Sequence, residues 1–378
     1  MVFNSLAANK SHLRTAVIIF VAACILLIVL ITTGVVTSPF KARGRVWLFR
    51  SESSRSAVDE LPEEESTCDC VWRIGCPKFR WQTNFTSPIY RCGYEVMTES
   101  LVSQCLRARE ASRGRAFKLH IAGHVREAFL ADYLRGRLIA TTDKEGCQLV
   151  KAPATPKNFD SDQVPYYTVK LPKGSDFCEM SYSRQGMTMD YRFIGQMGED
   201  VFSYVNHLTA DCAEHGCEGD ILIMSGGIGE LLNSTLLDSF TGVRKFQRGY
   251  ERLLPMLIGL VQNYRMEVVW KIHEPVTDEL IPENSMVRND LLQEYNALIM
   301  EQTMMTPVQV WTSHMLMKLH HIEDCDRRSN STTINEDSWR CEEEFVAGDR
   351  CHDEYFDTIF NKVCDKAIAM PENPCCSA

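Results

Sequence analysis

The chain has 378 residues, of which 45% are hydrophobic and 24% are charged, and its formal net charge at pH 7 is −10. This length is enough for one large domain or two small ones once the N-terminal region is set aside. Proteins that bind nucleic acid need clustered lysine and arginine side chains to neutralise phosphates, so the acidic balance argues against nucleic acid as a partner.

The N-terminal region contains one long apolar run, "AVIIFVAACILLIVLITTGVV", which covers residues 16–36. At about 1.5 Å per residue its helix would be roughly 31 Å long, which matches the hydrocarbon core of a bilayer. Because the apolar core of a cleavable signal peptide has only ~7–15 residues, the run is interpreted as an uncleaved signal-anchor, with a cleaved signal peptide as the alternative. Residues 1–15 would then be a short cytoplasmic tail.

The orientation of this span is indicated by two opposing signals. More lysine and arginine residues follow the span than precede it, which by itself places the C-terminal part in the cytosol. However, fifteen of the sixteen cysteines follow it, and three N-glycosylation acceptors occur at Asn84, Asn233 and Asn330. We therefore expect a single-pass type II membrane glycoprotein with a lumenal domain, in the Golgi, elsewhere in the secretory pathway or at the cell surface.

The segment after the span divides into a stem and a folded domain. Residues 37–66 contain the acidic run "DELPEEES" and few apolar positions, so they cannot bury a core and are predicted to be a flexible stem. The lumenal domain is predicted at 67–378. Its odd number of cysteines leaves at least one thiol outside intrachain pairs, and Cys375 and Cys376 are the candidates for a free thiol or a disulfide-linked partner.

Within this domain, apolar strands alternate with amphipathic helices. The predicted strands are "FKLHIA" (117–122), "DILIMSGG" (220–227), "MEVVWKI" (266–272) and "VQVWTS" (308–313). The predicted helices cover 126–138, 242–263 with a bend or break at Pro255, 287–302 and 353–369. This alternation predicts a parallel sheet covered on both faces, with its ligand site beyond the C-terminal strand ends at the turns 122–126 and 225–229.

A possible acid–base pair occurs near the C-terminus, in "GDRCHDEYFDTIFNKVC". Asp349 and His352 are three residues apart just before the last predicted helix. In a Ser-His-Asp arrangement the histidine accepts the proton of the nucleophile and the carboxylate orients the histidine. Taken alone the pattern fits equally a helix N-cap at Asp349 and a surface histidine at His352.

The segment 268–299, "VVWKIHEPVTDELIPENSMVRNDLLQEYNALI", resembles the corresponding part of the lumenal domain of sialate O-acetyltransferases. These enzymes belong to the capsule O-acetyltransferase and PC-esterase group of SGNH-fold proteins. The matching elements are Pro275-Val276, Glu279-Leu280, Glu283-Asn284, Met286, Asn289 and Tyr295-Asn296. Collinear landmarks extend the likeness over about residues 68–370. It implies an SGNH (flavodoxin-like) three-layer α/β domain and an acylated sugar as ligand.

The resemblance also implies roles for individual residues. In the family, a serine in the turn after the first strand attacks an acyl donor, and Asp349 and His352 match the aspartate and histidine that activate it. Arg126 matches an arginine that follows the serine. The backbone N–H groups of Gly226 and Gly227 are candidate oxyanion donors.

This chain departs from the family at the nucleophile. The place of the serine falls on His124 or Val125, neither of which has a hydroxyl group, and Ser225 is the only substitute nearby. We therefore expect a degenerate member that binds or presents an acylated glycan, or assists an active relative. The alternatives are an O-acetyltransferase or acetylesterase with an unorthodox nucleophile such as His124, and a purely structural domain.

Two further groups of residues can be interpreted either as functional or as purely structural. His207, Cys212, His215 and Cys217 have the mixed donors that zinc accepts, but in an oxidising lumen the two cysteines are expected to form a disulfide, so no metal or cofactor is predicted. Tryptophans can stack on sugar rings, but Trp270 and Trp311 lie within predicted strands and are expected to be core residues.

Overall fold

A seven-stranded sheet forms the centre of the domain, flanked by helices on both faces. The computed structural model describes residues 71–72, 96–145, 147–152, 166–170, 178–232, 239–276, 287–315, 318–319, 322 and 349–364, all of them in the unit Glu64–Ala378. The strands are β1 (Phe117–Gly123), β2 (Thr141–Glu145), β3 (Gln148–Ala152), β4 (Tyr166–Lys170), β5 (Glu179–Arg184), β6 (Met187–Phe193), β7 (Ile221–Met224), β8 (Glu267–Lys271) and β9 (Gln309–Trp311). The helices are α1 (Glu99–Arg113), α2 (Val125–Leu138), α3 (Glu199–His215), α4 (Ile228–Leu232), α5 (Ser239–Tyr264), α6 (Asn289–Thr303) and α7 (Asp349–Cys364).

The strand order of the large sheet is β2-β5-β6-β1-β7-β8-β9, and β3 and β4 form a separate hairpin. Strands β6, β1, β7, β8 and β9 are parallel, whereas β5 is antiparallel to both of its neighbours. Numbered by their sequence order, the five parallel strands have the spatial order 2-1-3-4-5, which is the flavodoxin-like order of doubly wound α/β proteins. The predicted parallel sheet is confirmed.

Two hydrophobic cores lie on opposite faces of this sheet, which makes the domain three layers thick. The first core packs α1, α2 and α7 against residues such as Leu119 and Ile223. The second packs α3, α5 and α6 against residues such as Leu222 and Met224. Because Leu222 and Ile223 are consecutive, β7 buries both of its faces, as a central parallel strand must.

Two helices differ from their predicted form. Helix α5 runs from Ser239 to Tyr264 without a division at Pro255. This proline is exposed, so water can satisfy the carbonyl that loses its helical partner. Helix α7 begins at Asp349, four residues before the predicted start at residue 353, so Asp349 and His352 lie in its first turn and not in a preceding loop.

Several predictions fall outside the described residues. They are the membrane span 16–36, the stem 37–66, the acceptors Asn84, Asn233 and Asn330, and the cysteines Cys375 and Cys376. Among the helices of the described part of the chain, none combines the length and the apolar character that crossing a bilayer requires.

Candidate functional site

The strand order places a topological switch point between β1 and β7. Strand β6 lies on one side of β1 and β7 on the other, so the helices that follow β1 and β7 pack on opposite faces of the sheet. In doubly wound proteins the ligand crevice lies beyond the strand ends at such a point. The N–H of Ser225 donates to the carbonyl oxygen of Ala122 over 2.9 Å, which joins the two ends. The turns at 122–126 and 225–229, predicted to form one site, therefore lie side by side.

The turn between β1 and α2 is built around the side chain of Glu127. His124 occupies the N-cap position of α2, and its N–H donates to Glu127 Oε2 over 3.2 Å. A Cβ on Gly123 would lie 2.5 Å from Glu127 Cγ, so a larger residue here would displace this buried side chain. The carboxylate thus fixes the backbone at the place where the resemblance expects a nucleophile.

His124, and not Val125, is the less buried residue of this turn. Val125 is buried in the first hydrophobic core, so a side chain at that position faces the packed helices. The imidazole of His124 packs on Phe193 with ring centroids 5.1 Å apart, and its buried Nδ1 has no hydrogen-bond partner. Burial and the charge of Arg126 lower the pKa of His124 to about 4, so the ring is neutral at pH 7.

A buried ionic network occupies the same edge of the sheet. Lys271, the last residue of β8, places its Nζ 2.6 Å from Glu274 Oε1 and 3.4 Å from Glu127 Oε1. Arg126 donates through Nη1 to the carbonyl oxygen of Glu274 over 2.8 Å, and its Nε lies 3.6 Å from Glu274 Oε2. All four side chains are buried, so the network balances two positive charges against two carboxyl groups away from solvent.

The two carboxyl groups of the network differ in electrostatic environment. Burial by itself would raise the pKa of Glu274, but Lys271 and Arg126 together hold it well below its usual value. Burial dominates at Glu127, and its pKa is raised despite the nearby Lys271. Tyr355 of α7 also donates to Glu274 Oε1 over 2.6 Å. Glu274 is therefore the ionised centre of the network.

Two further histidines are buried at this edge and held neutral. The ring of His273 donates through Nε2 to the carbonyl oxygen of Gly226 over 2.7 Å, and its backbone is bonded in both directions by the amide of Asn296. His314 contacts the carbonyl oxygen of Ile272 through Nε2 over 3.1 Å. Desolvation lowers the pKa of both histidines to about 3. Both rings therefore act as hydrogen-bonding groups without charge at pH 7.

The predicted oxyanion glycines lie in a tightly packed loop. Gly227 has a φ of +112°, a conformation that side chains other than glycine rarely adopt. A Cβ on Gly227 would lie 2.5 Å from the ring of Tyr295 and 3.2 Å from His273 Nε2. The loop after β7 is therefore fixed by its neighbours, and the role of the Gly226 and Gly227 N–H groups as oxyanion donors stays a prediction.

The predicted Asp349–His352 pair lies on the first turn of α7. The ring of His352 is buried, stacks on Tyr133 of α2 at 4.9 Å and meets Tyr355 edge-on at 5.8 Å. The side chain of Asp349 is outside the described part of the structure. Through Tyr355, one turn after His352, α7 reaches Glu274 and thus the ionic network. Its first turn and the β1–α2 turn therefore lie at the same end of the sheet.

The other predicted site residues are engaged within the fold. Arg126 is paired with Glu274, and Ser225 is only 2% exposed at the end of β7. Lys271, Glu274 and Glu127 are site residues that were not predicted. The signal for the first two was the charged tetrapeptide "KIHE", which directly follows the apolar strand core "VVW".

The candidate zinc cluster is a disulfide, as expected. Cys212 and Cys217 are bonded, and His215 is exposed with its Nδ1 3.0 Å from Asp211. Within the described residues no group of histidine, cysteine and acidic side chains has the arrangement of a metal site. Trp270 and Trp311 are buried in the cores, also as expected.

The similarity of this chain to known proteins is low. No protein-family model matches this sequence, and no curated protein is significantly similar to it. Among solved structures, a peptidoglycan O-acetylesterase is similar over 69% of this chain and 93% of its own chain, with 9% sequence identity and a TM-score of 0.32. A likeness of that size carries no argument about function. The strand order and the two covered faces of the sheet define the class, a doubly wound α/β domain of flavodoxin-like strand order.

Proposed function

We propose that this chain is a non-catalytic relative of the SGNH carbohydrate O-acyltransferases that binds an O-acylated glycan at the switch-point crevice. One observation carries the proposal. The residue that caps α2 at the switch point is His124, a neutral imidazole, and neither it nor Val125, the two positions that the resemblance allows for the serine, has a hydroxyl group. Loss of the serine from such a unit typically costs on the order of 10⁶ in turnover.

The ionic network supports the absence of turnover. A hydrolytic site needs a base or a carboxylate that can face the substrate. Here Glu274 accepts from Tyr355 and is paired with Lys271 and Arg126, while Glu127 caps the turn at His124. These charged groups are satisfied by one another and stabilise the edge of the sheet.

The glycan ligand and the cellular location are proposed from the sequence. The resemblance over 268–299 suggests a sugar ligand, and the apolar run 16–36 with the cysteine density suggests a type II anchor in the Golgi, elsewhere in the secretory pathway or at the cell surface. Expression in animal cells tests the location. A mass decrease on treatment with peptide-N-glycosidase, lost when Asn84, Asn233 and Asn330 are all changed to Gln, is expected. Unchanged mass of the wild-type chain would contradict a lumenal domain.

The function is tested by comparing hydrolysis and binding with the purified full-length chain. Wild type is expected to hydrolyse p-nitrophenyl acetate no faster than a heat-denatured sample and to retain O-acetylated glycans on an array. His124→Ser is expected to create measurable hydrolysis, and His124→Ala is its matched control without a hydroxyl. Wild-type hydrolysis that His352→Ala abolishes would overturn the non-catalytic proposal, and the absence of any glycan binding would overturn the ligand class.

The second candidate is an O-acetyltransferase or acetylesterase that uses His124 itself. It is favoured by one feature, the unbonded Nδ1 of a neutral imidazole at the switch point, since neutral imidazole is the nucleophilic form. This candidate predicts that wild type hydrolyses the aryl acetate and that His124→Ala removes the activity. His215→Ala, which changes an exposed histidine, is the control that should leave it intact.

A further inference from the structure

A basic cleft lies beside the switch-point edge, between α5 and the loop after β6. Its volume is about 520 Å³, and it is open to solvent because its cationic side chains are exposed. Four of its lining side chains are cationic, and they come from two turns of one helix: Arg244, Lys245, Arg248 and Arg252. In a chain with a net charge of −10, this is a marked local excess of positive charge.

The positive charges of the cleft are only partly compensated. Arg252 Nη2 lies 3.1 Å from Glu199 Oε1, and Lys245 donates to the neutral amide of Gln196 over 2.6 Å. Arg244 and Arg248 make no ion pair within the part of the chain that the structure describes. Like charges four residues apart on a helix destabilise it by ~0.2–0.5 kcal/mol per pair, and this helix has two such pairs. An anion bound between the side chains would offset this repulsion.

The floor of the cleft is fixed by close packing. A Cβ on Gly249 of α5 would lie 2.7 Å from Met197 Cβ and 2.8 Å from the Met197 carbonyl oxygen, so the loop rests directly on the helix backbone. The N–H of Met197 donates to the buried carboxylate of Glu230. The sulfur of Met197 would in turn lie 2.8 Å from a Cβ on Gly226, which places the cleft next to the loop after β7.

We propose that this cleft binds a small ligand that carries at least two sulfate or phosphate groups. Arginine guanidinium groups match the oxygens of such groups in two-point contacts, and Arg244 and Arg248 stand one helical turn apart on the same face. The available cations suit a ligand with two or three charges and are too few for a nucleic-acid backbone. The site is independent of the function proposed for the crevice, since it includes neither His124 nor the ionic network.

The experiment is a calorimetric titration of the full-length chain with two probes. Inorganic pyrophosphate represents a phosphorylated ligand, and a heparin-derived tetrasaccharide represents a sulfated glycan. Saturable binding of at least one probe is expected, with an affinity that falls as ionic strength rises. Tighter binding of pyrophosphate would identify a phosphate source, and tighter binding of the tetrasaccharide would identify a sulfated sugar. Failure of both probes at millimolar concentration would overturn the proposal.

Variants distinguish binding at the cleft from a general attraction of anions to the protein surface. Arg244→Gln with Arg248→Gln is expected to weaken binding by about tenfold for each guanidinium group removed, whereas the double lysine variant should retain part of the affinity. Arg107→Gln with Arg265→Gln removes the same charge from exposed positions outside the cleft and should bind like wild type. The proposal would be overturned if Arg244→Gln with Arg248→Gln bound the probes as tightly as wild type. It would also be overturned if the control double variant lost as much affinity as that variant.

Discussion

The ionic network gives the sharpest test of how the candidate site is built. Glu274→Gln keeps the shape of the side chain but removes the charge that faces Lys271 and Arg126. Lys271 is 2% exposed and Glu274 is 4% exposed, so water cannot replace the missing partner. The variant leaves Lys271 Nζ with Glu127, 3.4 Å away, as its remaining carboxyl partner.

The expected loss of stability follows from this burial. Removing one partner of a buried ion pair typically lowers the free energy of unfolding by about 3–5 kcal/mol, because the other charge stays buried without compensation. Glu127→Gln should cost less, since burial raises the pKa of Glu127 and its ionised form therefore contributes less to the folded state. Glu218→Gln, in an exposed pair with Arg265 at 3.3 Å, should cost less than about 1 kcal/mol.

Urea denaturation of the full-length chain at pH 7, followed by far-UV circular dichroism with the disulfides intact, measures all three variants. The expected order of destabilisation is Glu274→Gln, then Glu127→Gln, then Glu218→Gln, with unchanged m-values. A destabilisation of less than about 1 kcal/mol for Glu274→Gln would refute the network as a stabilising unit. Equal destabilisation by Glu274→Gln and Glu127→Gln would refute Glu274 as its ionised centre.

Three further predictions concern pH, backbone conformation and covalent links. The pKa of His273 is about 3 in the folded chain and about 6.5 in the unfolded chain, so this residue makes stability rise with pH between those limits by about 1.4 kcal/mol per pH unit. His273→Gln should therefore flatten the dependence of stability on pH between about pH 6 and 4.5. An unchanged slope would contradict the neutral burial of His273. Gly227→Ala should lower the melting temperature, because Gly227 has a positive φ and close contacts. Gly259→Ala, in an open part of α5, should leave the melting temperature unchanged or raise it. Equal effects of the two variants would show that the loop after β7 is not tightly constrained. Removing the Cys105–Cys364 disulfide, which spans 259 residues, should lower the free energy of unfolding by about 5 kcal/mol. Removing Cys212–Cys217, which spans five residues, should lower it by about 2 kcal/mol. Similar losses in chemical denaturation would exclude loop-closure entropy as the main cause of the stabilisation.

The central strands could be predicted because each is a short apolar run. Strands β1, β7 and β8 bury both faces, so "LHIA", "ILIM" and "VVW" stand out from the polar segments around them. Strands β5 and β6 were not predicted, because their buried and partly exposed residues alternate and no long apolar run results. A signal was present nevertheless, since the two-residue connection ends in Gly186, with a φ of +81°, between two alternating segments.

The candidate site could be predicted in position but not in composition. The rule that parallel strands end at a common edge placed the turn 122–126 beside the turn 225–229, as the Ser225–Ala122 hydrogen bond shows. It could not show that Lys271 would be buried, because lysine is almost always exposed and its partner Glu127 is 144 residues away in the sequence. The Lys271–Glu274 pair lies within one tetrapeptide, but its contacts with Glu127, Arg126 and Tyr355 join distant segments, which no local pattern reports.

The burial of Val125 decides how a lost nucleophile could be restored. An alignment leaves both His124 and Val125 as the place of the serine, but Val125 is 2% exposed and packs with the first core. A serine there would bury a hydroxyl among apolar side chains and weaken the packing. A serine at position 124 would instead stand at the N-cap, a position that serine favours, beside the switch point. Activity in His124→Ser, and none in Val125→Ser, is therefore the result that the fold requires if this edge once carried acyl-transfer chemistry.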